Sequence, residues 1–209
     1  MNLWSTTEHA LDYLSRADGI PHRTEGEAVL LEFVPKDAAR ILDIGTGDGR
    51  LLALLKVDRP EAECVGLDFS PAMLAEAKAR FAGDPTVKVV EHNLEYRLPS
   101  LGYFDAIVSS FAIHHVGDTR KRGIYAEVHR ALKPGGIFLN LEHVASSTAN
   151  LHDAFLRRLN LTRETEDPSN QLTDLKTQLS WLREIGFTDV DCHWKWLELA
   201  LIAGVKPSE

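Results

Sequence analysis

The sequence predicts an α/β fold: a doubly wound, mainly parallel seven-stranded sheet with helices on both faces, an antiparallel last strand and two N-terminal helices acting as a lid. Three observations carry this expectation. From residue 39 onward, short apolar runs alternate with helical repeats, the pattern of a parallel sheet whose crossovers are helices. The first apolar run ends in a glycine-rich turn, Gly45-Thr46-Gly47-Asp48-Gly49, that opens a helix. The last two runs, 189–194 and 200–205, read as a closing antiparallel pair.

In chain order, two capping boxes come first, Ser5-Thr-Thr-Glu8 and Thr24-Glu-Gly-Glu27. Each precedes helical apolar spacing, the second through Ala28, Leu31 and Val34. A turn at residues 19–23 separates them. Strands are expected at 40–44, 64–67, 87–92, 105–109 and 137–141. A Leu-rich helix starts at Arg50. Ser70-Pro71 supplies an N-cap and a helix-compatible first residue, Met73, Leu74, Ala77 and Phe81 recur on one face, and Gly83 closes that helix. A helix from Asp118 carries Ile124, Val128 and Leu132 and is stopped by Lys133-Pro134-Gly135-Gly136. Residues 146–170 lack a regular pattern. A last helix from Thr173 to Gly186 turns Leu175, Leu179, Leu182 and Ile185 inward.

At 209 residues, 44% hydrophobic and 26% charged, the chain has the make-up of one globular domain. Within it, residues 1–38 form the lid, 39–145 the ligand-binding half and 146–209 the acceptor side. The formal net charge of −8 repels a phosphate backbone. The basic run Arg120-Lys121-Arg122 reads as the solvated first turns of a helix. Cys64 and Cys192 sit in apolar strand-like stretches and read as core residues of a reducing compartment. Met1 to Ser5 lacks a signal pattern, and the longest apolar stretch, Leu199 to Val205, falls far short of the ~20 residues of a membrane span. A cytoplasmic protein is expected. Asn160-Leu161-Thr162 matches a glycosylation acceptor by chance.

Chemistry concentrates at Ile41-Leu-Asp43-Ile-Gly45-Thr-Gly47-Asp48-Gly49-Arg50. Glycines there let a ligand approach the backbone closely. Asp68 ends the next strand, where a carboxylate accepts both hydroxyls of a ribose. A dinucleotide fingerprint would carry Gly or Ala at the position of Arg50. Asp43 and Asp48 flanking the turn further disfavour a pyrophosphate and favour a cationic ligand.

With these residues in place, the chain resembles the class I S-adenosylmethionine-dependent methyltransferases, a Rossmann-like family, and within it the small-molecule branch that includes the ubiquinone-biosynthesis enzymes. The resemblance spans about residues 39 to 206. It rests on the glycine turn from Asp43 to Gly49, on Gly66-Leu-Asp68-Phe69-Ser70-Pro71-Ala-Met73-Leu74, on the segment from Phe104 through Ser110 to His115, and on Leu132-Lys-Pro-Gly-Gly136. It implies S-adenosylmethionine as cofactor, S-adenosylhomocysteine as product and a small-molecule methyl acceptor. By the same resemblance Gly45, Thr46 and Gly47 pass under the methionine portion, Asp43 anchors its amino group and Asp68 holds the ribose. Phe69 and Met73 flank the adenine, Asn93 and Leu94 meet its edge, and Ser110 lies beneath the methionine. Many relatives have aspartate where Asn93 stands.

Methyl transfer from a sulfonium is an in-line displacement on an activated carbon, so positioning suffices and neither nucleophile nor metal is required. His114 and His115, at the mouth of the crevice, and His143, on the acceptor side, are the candidate bases, with a structural or cofactor-contacting role weighed above catalysis for the first two. No metal site is expected, since the histidines show no ligand spacing with carboxylates. Arg23 is either a surface residue or a fork for the methionine carboxylate. Trp4, Tyr13, Trp194 and Trp196 are candidates for an acceptor pocket, with at most one of the last two facing it. Two other functions stay open: a tRNA-modifying methyltransferase and a non-catalytic S-adenosylmethionine-binding regulator. The chain is expected to be a monomer or homodimer.

Overall fold

The computed structural model describes residue 8 and residues 20–208. Seven strands, β1 Arg40–Ile44, β2 Glu63–Asp68, β3 Val87–Glu91, β4 Phe104–Ser110, β5 Leu132–His143, β6 Thr188–Trp196 and β7 Leu199–Val205, form one sheet. Its order is β3-β2-β1-β4-β5-β7-β6. The pairs β3·β2, β2·β1, β1·β4 and β4·β5 are parallel, and β7 runs antiparallel to both β5 and β6. Among the described residues the α-helices from residue 20 onward are α1 Arg23–Phe33, α2 Arg50–Asp58, α3 Pro71–Arg80, α4 Asp118–Ala131, α5 Ala149–Arg158 and α6 Leu175–Ile185.

Strand order reverses between β1 and β4, so a crevice opens beyond their carboxyl ends, where the adjoining crossovers leave on opposite faces. Alternation along each central strand fills both faces. One core joins Leu42, Ile107 and Phe138 to Ile124, Val128 and Leu182, which brings α4 and α6 onto that side. The other joins Ile41, Val108 and Leu139 to Leu30, Leu52 and Leu55, which brings α1 and α2 onto the opposite side. Central strands buried on both faces explain the near-continuous apolar runs of the sequence.

Several elements depart from the sequence-based expectation. The helix expected from Ser5 lies outside the described residues except for Glu8, as do Trp4 and Tyr13. The second capping box does not form: α1 starts at Arg23 after a left-handed His22, with no side-chain cap. Its Glu27 is drawn instead toward two arginines. Residues 146–170 contain a helix, α5, capped by Thr148, whose hydroxyl accepts from Leu151 N, and burying Phe155 and Leu156. The final helix begins at Leu175, two residues late, because Asp174 takes the N-cap and accepts from Thr177 N. Strand β5 begins at Leu132 rather than 137 and bulges at the glycine pair, where a side chain on Gly136 would come within 2.9 Å of Lys133 O and 3.0 Å of Asp105 O.

Of the basic run only Arg122 is solvated. Lys121 is fully buried and its ammonium donates to Thr173 Oγ1 and to Gln171 O. Arg120 instead forks onto Glu127. Cys64 is buried, whereas Cys192, on the edge strand β6, is only half-buried. Among the described residues no helix is long and apolar enough to cross a membrane.

Candidate functional site

At the end of β1 the chain must turn sharply against the loop that follows β4. Gly45 makes this possible, with φ of 73° and room so short that a Cβ would lie 2.1 Å from that of Ala112. Gly66, inside β2, plays a related part: a Cβ there would fall 2.8 Å from the Thr46 side chain. Asp68 then ties the two loops together. Its Oδ2 accepts from Gly47 N at 2.9 Å and its Oδ1 from Ser70 N at 2.8 Å. Burial raises its pKa against the pull of these hydrogen bonds.

These loops wall a cavity of about 300 Å³ at the carboxyl ends of β1, β2 and β4. All twelve residues expected to meet the cofactor line it: Arg23, Asp43, Gly45, Thr46, Gly47, Asp68, Phe69, Met73, Asn93, Leu94, Ser110 and His115. Sequence reasoning overlooked Arg50, Arg80, His92 and Phe111, which line it as well. Arg50 was legible as the bulky residue that breaks a dinucleotide fingerprint, not as part of the cavity wall, and Arg80 only as a helix residue. Phe111 takes a left-handed φ of 53° that no sequence signal announces.

Among the residues lining the cavity, both Asp43 carboxylate oxygens, the Thr46 hydroxyl and the Ser110 hydroxyl are buried and make no well-formed hydrogen bond within the described residues, although the Thr46 side chain stands near enough to the Asp43 carboxyl to stabilise its charge. Burial, against the pull of the Thr46 hydroxyl and with smaller repulsions from Asp68 and Asp48, raises the Asp43 carboxyl to about 7. Leaving such groups unmet costs roughly 1–3 kcal/mol each, a cost that a polar, cationic ligand removes. Phe69, Met73 and Leu94 give the same cavity apolar lining. Asn93 Oδ1 accepts from Glu95 N, which leaves its amide nitrogen for a ligand edge. Arg120 braces this rim by donating to Leu94 O at 2.5 Å and Tyr96 O at 2.7 Å.

Arg23 is not a surface residue. It is 7% exposed, donates from Nε to Glu27 Oε1 at 2.8 Å and stands 5.6 Å from the Phe111 ring centroid. Arg50 meets the other oxygen of Glu27 at 3.1 Å. Two guanidiniums around one buried carboxylate thus form a positive corner in the cavity wall. Asp48, expected to attract a cation, is instead neutralised by Arg80.

The three candidate histidines separate. His115 lines the cavity. His114 is buried behind it rather than at the mouth, because its Nδ1 pairs with Glu142 Oε1 at 2.7 Å in the sheet. Burial, then the neighbouring His143, holds His114 well below the usual imidazole range, while burial raises Glu142. His143 turns its Nε2 to Glu198 at 2.9 Å, and His152 bridges Glu198 and Glu166. Trp194 packs on Gly26 and Leu141, and Trp196 stacks near His22 and Phe155, so neither tryptophan lines the cavity. Among the described residues no group of His, Cys, Asp and Glu is arranged to hold a metal ion.

Residues 41–136 match the model of a methyltransferase domain. Over 101 residues the chain is 40% identical to a ubiquinone/menaquinone biosynthesis C-methyltransferase, UbiE, of Desulfotalea psychrophila, a match covering 47% of this chain and 39% of that one. Over 114 residues it is 40% identical to a demethylmenaquinone methyltransferase of Thermus thermophilus, covering 54% and 49%. The chain therefore spans half or less of the length of these two curated relatives. Among solved structures, the N-methyltransferase NodS of Bradyrhizobium japonicum, in complex with S-adenosylhomocysteine, superposes with a TM-score of 0.72 at 20% identity, covering 99% of this chain and 100% of that one.

Proposed function

We propose that this chain is a class I S-adenosylmethionine-dependent methyltransferase that binds S-adenosylmethionine across the glycine turn after β1 and directs its methyl group to a small-molecule acceptor. The observation that carries the reading is the buried Asp43 carboxylate, held at a raised pKa and sharing one cavity with Thr46, Ser110 and Asp68. That set fits an aminoacyl nucleoside: Asp43 and Ser110 would hold the amino group, Asp68 the ribose hydroxyls, Phe69 and Met73 the adenine faces, and Asn93 with Leu94 its edge. The corner formed by Arg23, Glu27 and Arg50 would take the carboxylate. When bound, the sulfonium supplies an activated methyl group. The protein's part is to orient that group, exclude water and hold the acceptor in line with it. A nucleic-acid acceptor is disfavoured by the −8 net charge.

The test is titration calorimetry with S-adenosylmethionine, followed by transfer of its labelled methyl into a metabolite extract or into RNA. Label in small molecules supports the reading. Label in RNA alone, or cofactor bound without turnover, replaces it with one of its two rivals.

Asp43 makes binding depend on pH. Its protein-bound pKa near 7 means the acid form dominates below neutrality, while a cationic amine requires the carboxylate. Binding below pH 7 should therefore release a proton, and affinity should fall up to tenfold per unit of further acidification. Calorimetry in buffers of different ionisation enthalpy measures that proton, and Asp43→Asn should abolish it. Arg23→Ala should weaken affinity about tenfold, the value of one charge-assisted contact. An unchanged constant would remove Arg23 from the site.

A further inference from the structure

The segment joining α5 to α6 packs on the turn that carries His114 and His115: Gln171 N donates to His114 O, and Gln171 Nε2 to His115 O, both at 2.9 Å. Its upstream part is held by a single imidazole. His152, on α5, meets a carboxylate through each ring nitrogen, with Nδ1 3.0 Å from Glu198 Oε1 and Nε2 3.0 Å from Glu166 Oε2. The two acids differ in setting. Glu198, between β6 and β7, has a side chain 1% exposed and a second partner in His143 Nε2 at 2.9 Å. Glu166 belongs to the joining segment, has a side chain 17% exposed and accepts from Asn170 Nδ2 at 3.1 Å.

A neutral imidazole carries one N–H, so it cannot donate to carboxylates at both nitrogens; one of them would face a lone pair. The geometry is therefore that of the imidazolium. Burial opposes its charge, but the hydrogen bond and charge of Glu198, and then Glu166, outweigh burial and raise His152 above the ordinary 6.5. Glu198 is lowered against its own burial by His143, Ser146 and His152, so it stays a carboxylate. Other charged groups near the ring are Asp153 and Arg157 on its own helix, and Arg163, Glu164 and Asp167, which line with it a second cavity of about 430 Å³. Arg163 is engaged by Asp153 at 2.7 Å.

We propose that His152 is a proton-operated clamp that ties residues 162–170 to the buried Glu198 while charged and lets go of Glu166 when neutral, so that this segment opens. Glu166 is the contact that breaks, because the one remaining N–H stays with the acid that cannot rehydrate, whereas Glu166 reaches water. Asn170 leaves with it. The stretch from Gln171 onward stays, held by the His114–His115 turn and by Lys121 through Thr173. A base whose folded pKa lies above its unfolded one stabilises the closed form fully below 6.5, and that stabilisation is lost as pH rises through the folded value. The clamp thus opens on the alkaline side. What opens is the segment that carries Ser169, whose hydroxyl lies 3.0 Å from Nδ1 of His115, a residue lining the main cavity.

Proton–nitrogen spectra of histidine-labelled protein, with His152 assigned through its backbone, read both its pKa and its charge. Below 6.5 the ring should carry two N–H protons, and it should lose one only above that value. Over the same range, the hydrogen-exchange protection of amides in residues 162–170, taken relative to each amide's intrinsic rate, should be constant at low pH. It should then fall as His152 titrates, by at most about tenfold per unit for one proton. Glu166→Gln keeps the shape and bonds to either form of the ring, so it should bring His152 back toward 6.5 and make protection independent of its titration. A wild-type His152 that titrates at or below 6.5, protection that ignores its titration, or a Glu166→Gln protein with wild-type pH dependence would overturn the proposal. None of these measurements involves S-adenosylmethionine, so their outcome is separate from that of the functional reading.

Discussion

Asp68→Ala is expected to weaken S-adenosylmethionine binding about 100-fold while leaving the fold intact. The carboxylate is fixed before any ligand arrives, because one oxygen is held by Gly47 N and the other by Ser70 N. A ribose approaching it meets a charged acceptor whose orienting entropy has already been spent. Hydrogen bonds to charged groups contribute roughly 1.5–3 kcal/mol each. Two of them, less the weakening by shared backbone donors, leave about 3 kcal/mol, or 100-fold. The variant also frees the glycine turn from β2, which adds to the loss. Its circular dichroism should match the wild type, since removing a buried carboxylate of raised pKa also removes a desolvation cost. Near-normal calorimetric affinity would show that no ribose reaches this residue.

Much of this arrangement was legible beforehand, for a physical reason. The parallel sheet needs apolar strands, helices between them and a turn that lets a ligand meet the backbone, and each demand leaves a local mark. Residues 41–50 carry the strand and the glycine turn, and Ser70-Pro71 marks the start of α3. The roles of Asp43, Gly45, Gly47, Asp68, Phe69, Met73, Asn93, Leu94 and Ser110 came from the family resemblance that these marks help to carry. The failures lie where a side chain chooses a partner distant in sequence. Glu27 has the spacing of a capping-box acid, yet its alternatives, Arg23 and a guanidinium 23 residues away, outweigh a single N–H. Lys121 reads as solvated because nothing near it in sequence shows that Thr173 and the Gln171 carbonyl lie across from it. His114 and His115 are adjacent in sequence, yet one pairs with Glu142 in the sheet and the other faces the cavity. Helix α5 was a different kind of miss. Thr148 and the spacing of Leu151 and Phe155 were available, but the helix is short and its last residues are polar.

Glu27→Ala is expected to lower stability by about 3 kcal/mol and cofactor affinity along with it. The carboxylate is 2% exposed and holds both arginines of the cavity corner. Breaking a buried ion pair by removing one partner costs roughly 3–5 kcal/mol, because the charge left behind keeps its desolvation penalty. The lower figure applies here: the Arg50 side chain is 27% exposed and recovers part of its hydration. For a chain of this size that loss lowers the melting temperature by about 6–12 °C. A capping-box acid would behave otherwise, its loss costing about 1 kcal/mol and 2–4 °C. The size of the shift therefore discriminates between the role its spacing suggests and the one its contacts describe. Glu27→Gln retains the shape and one acceptor oxygen but not the charge, so it should fall between wild type and Ala in stability. If affinity for S-adenosylmethionine follows stability across the three proteins, helix α1 and the glycine turn communicate through this carboxylate; if stability falls while affinity holds, Glu27 only supports the fold.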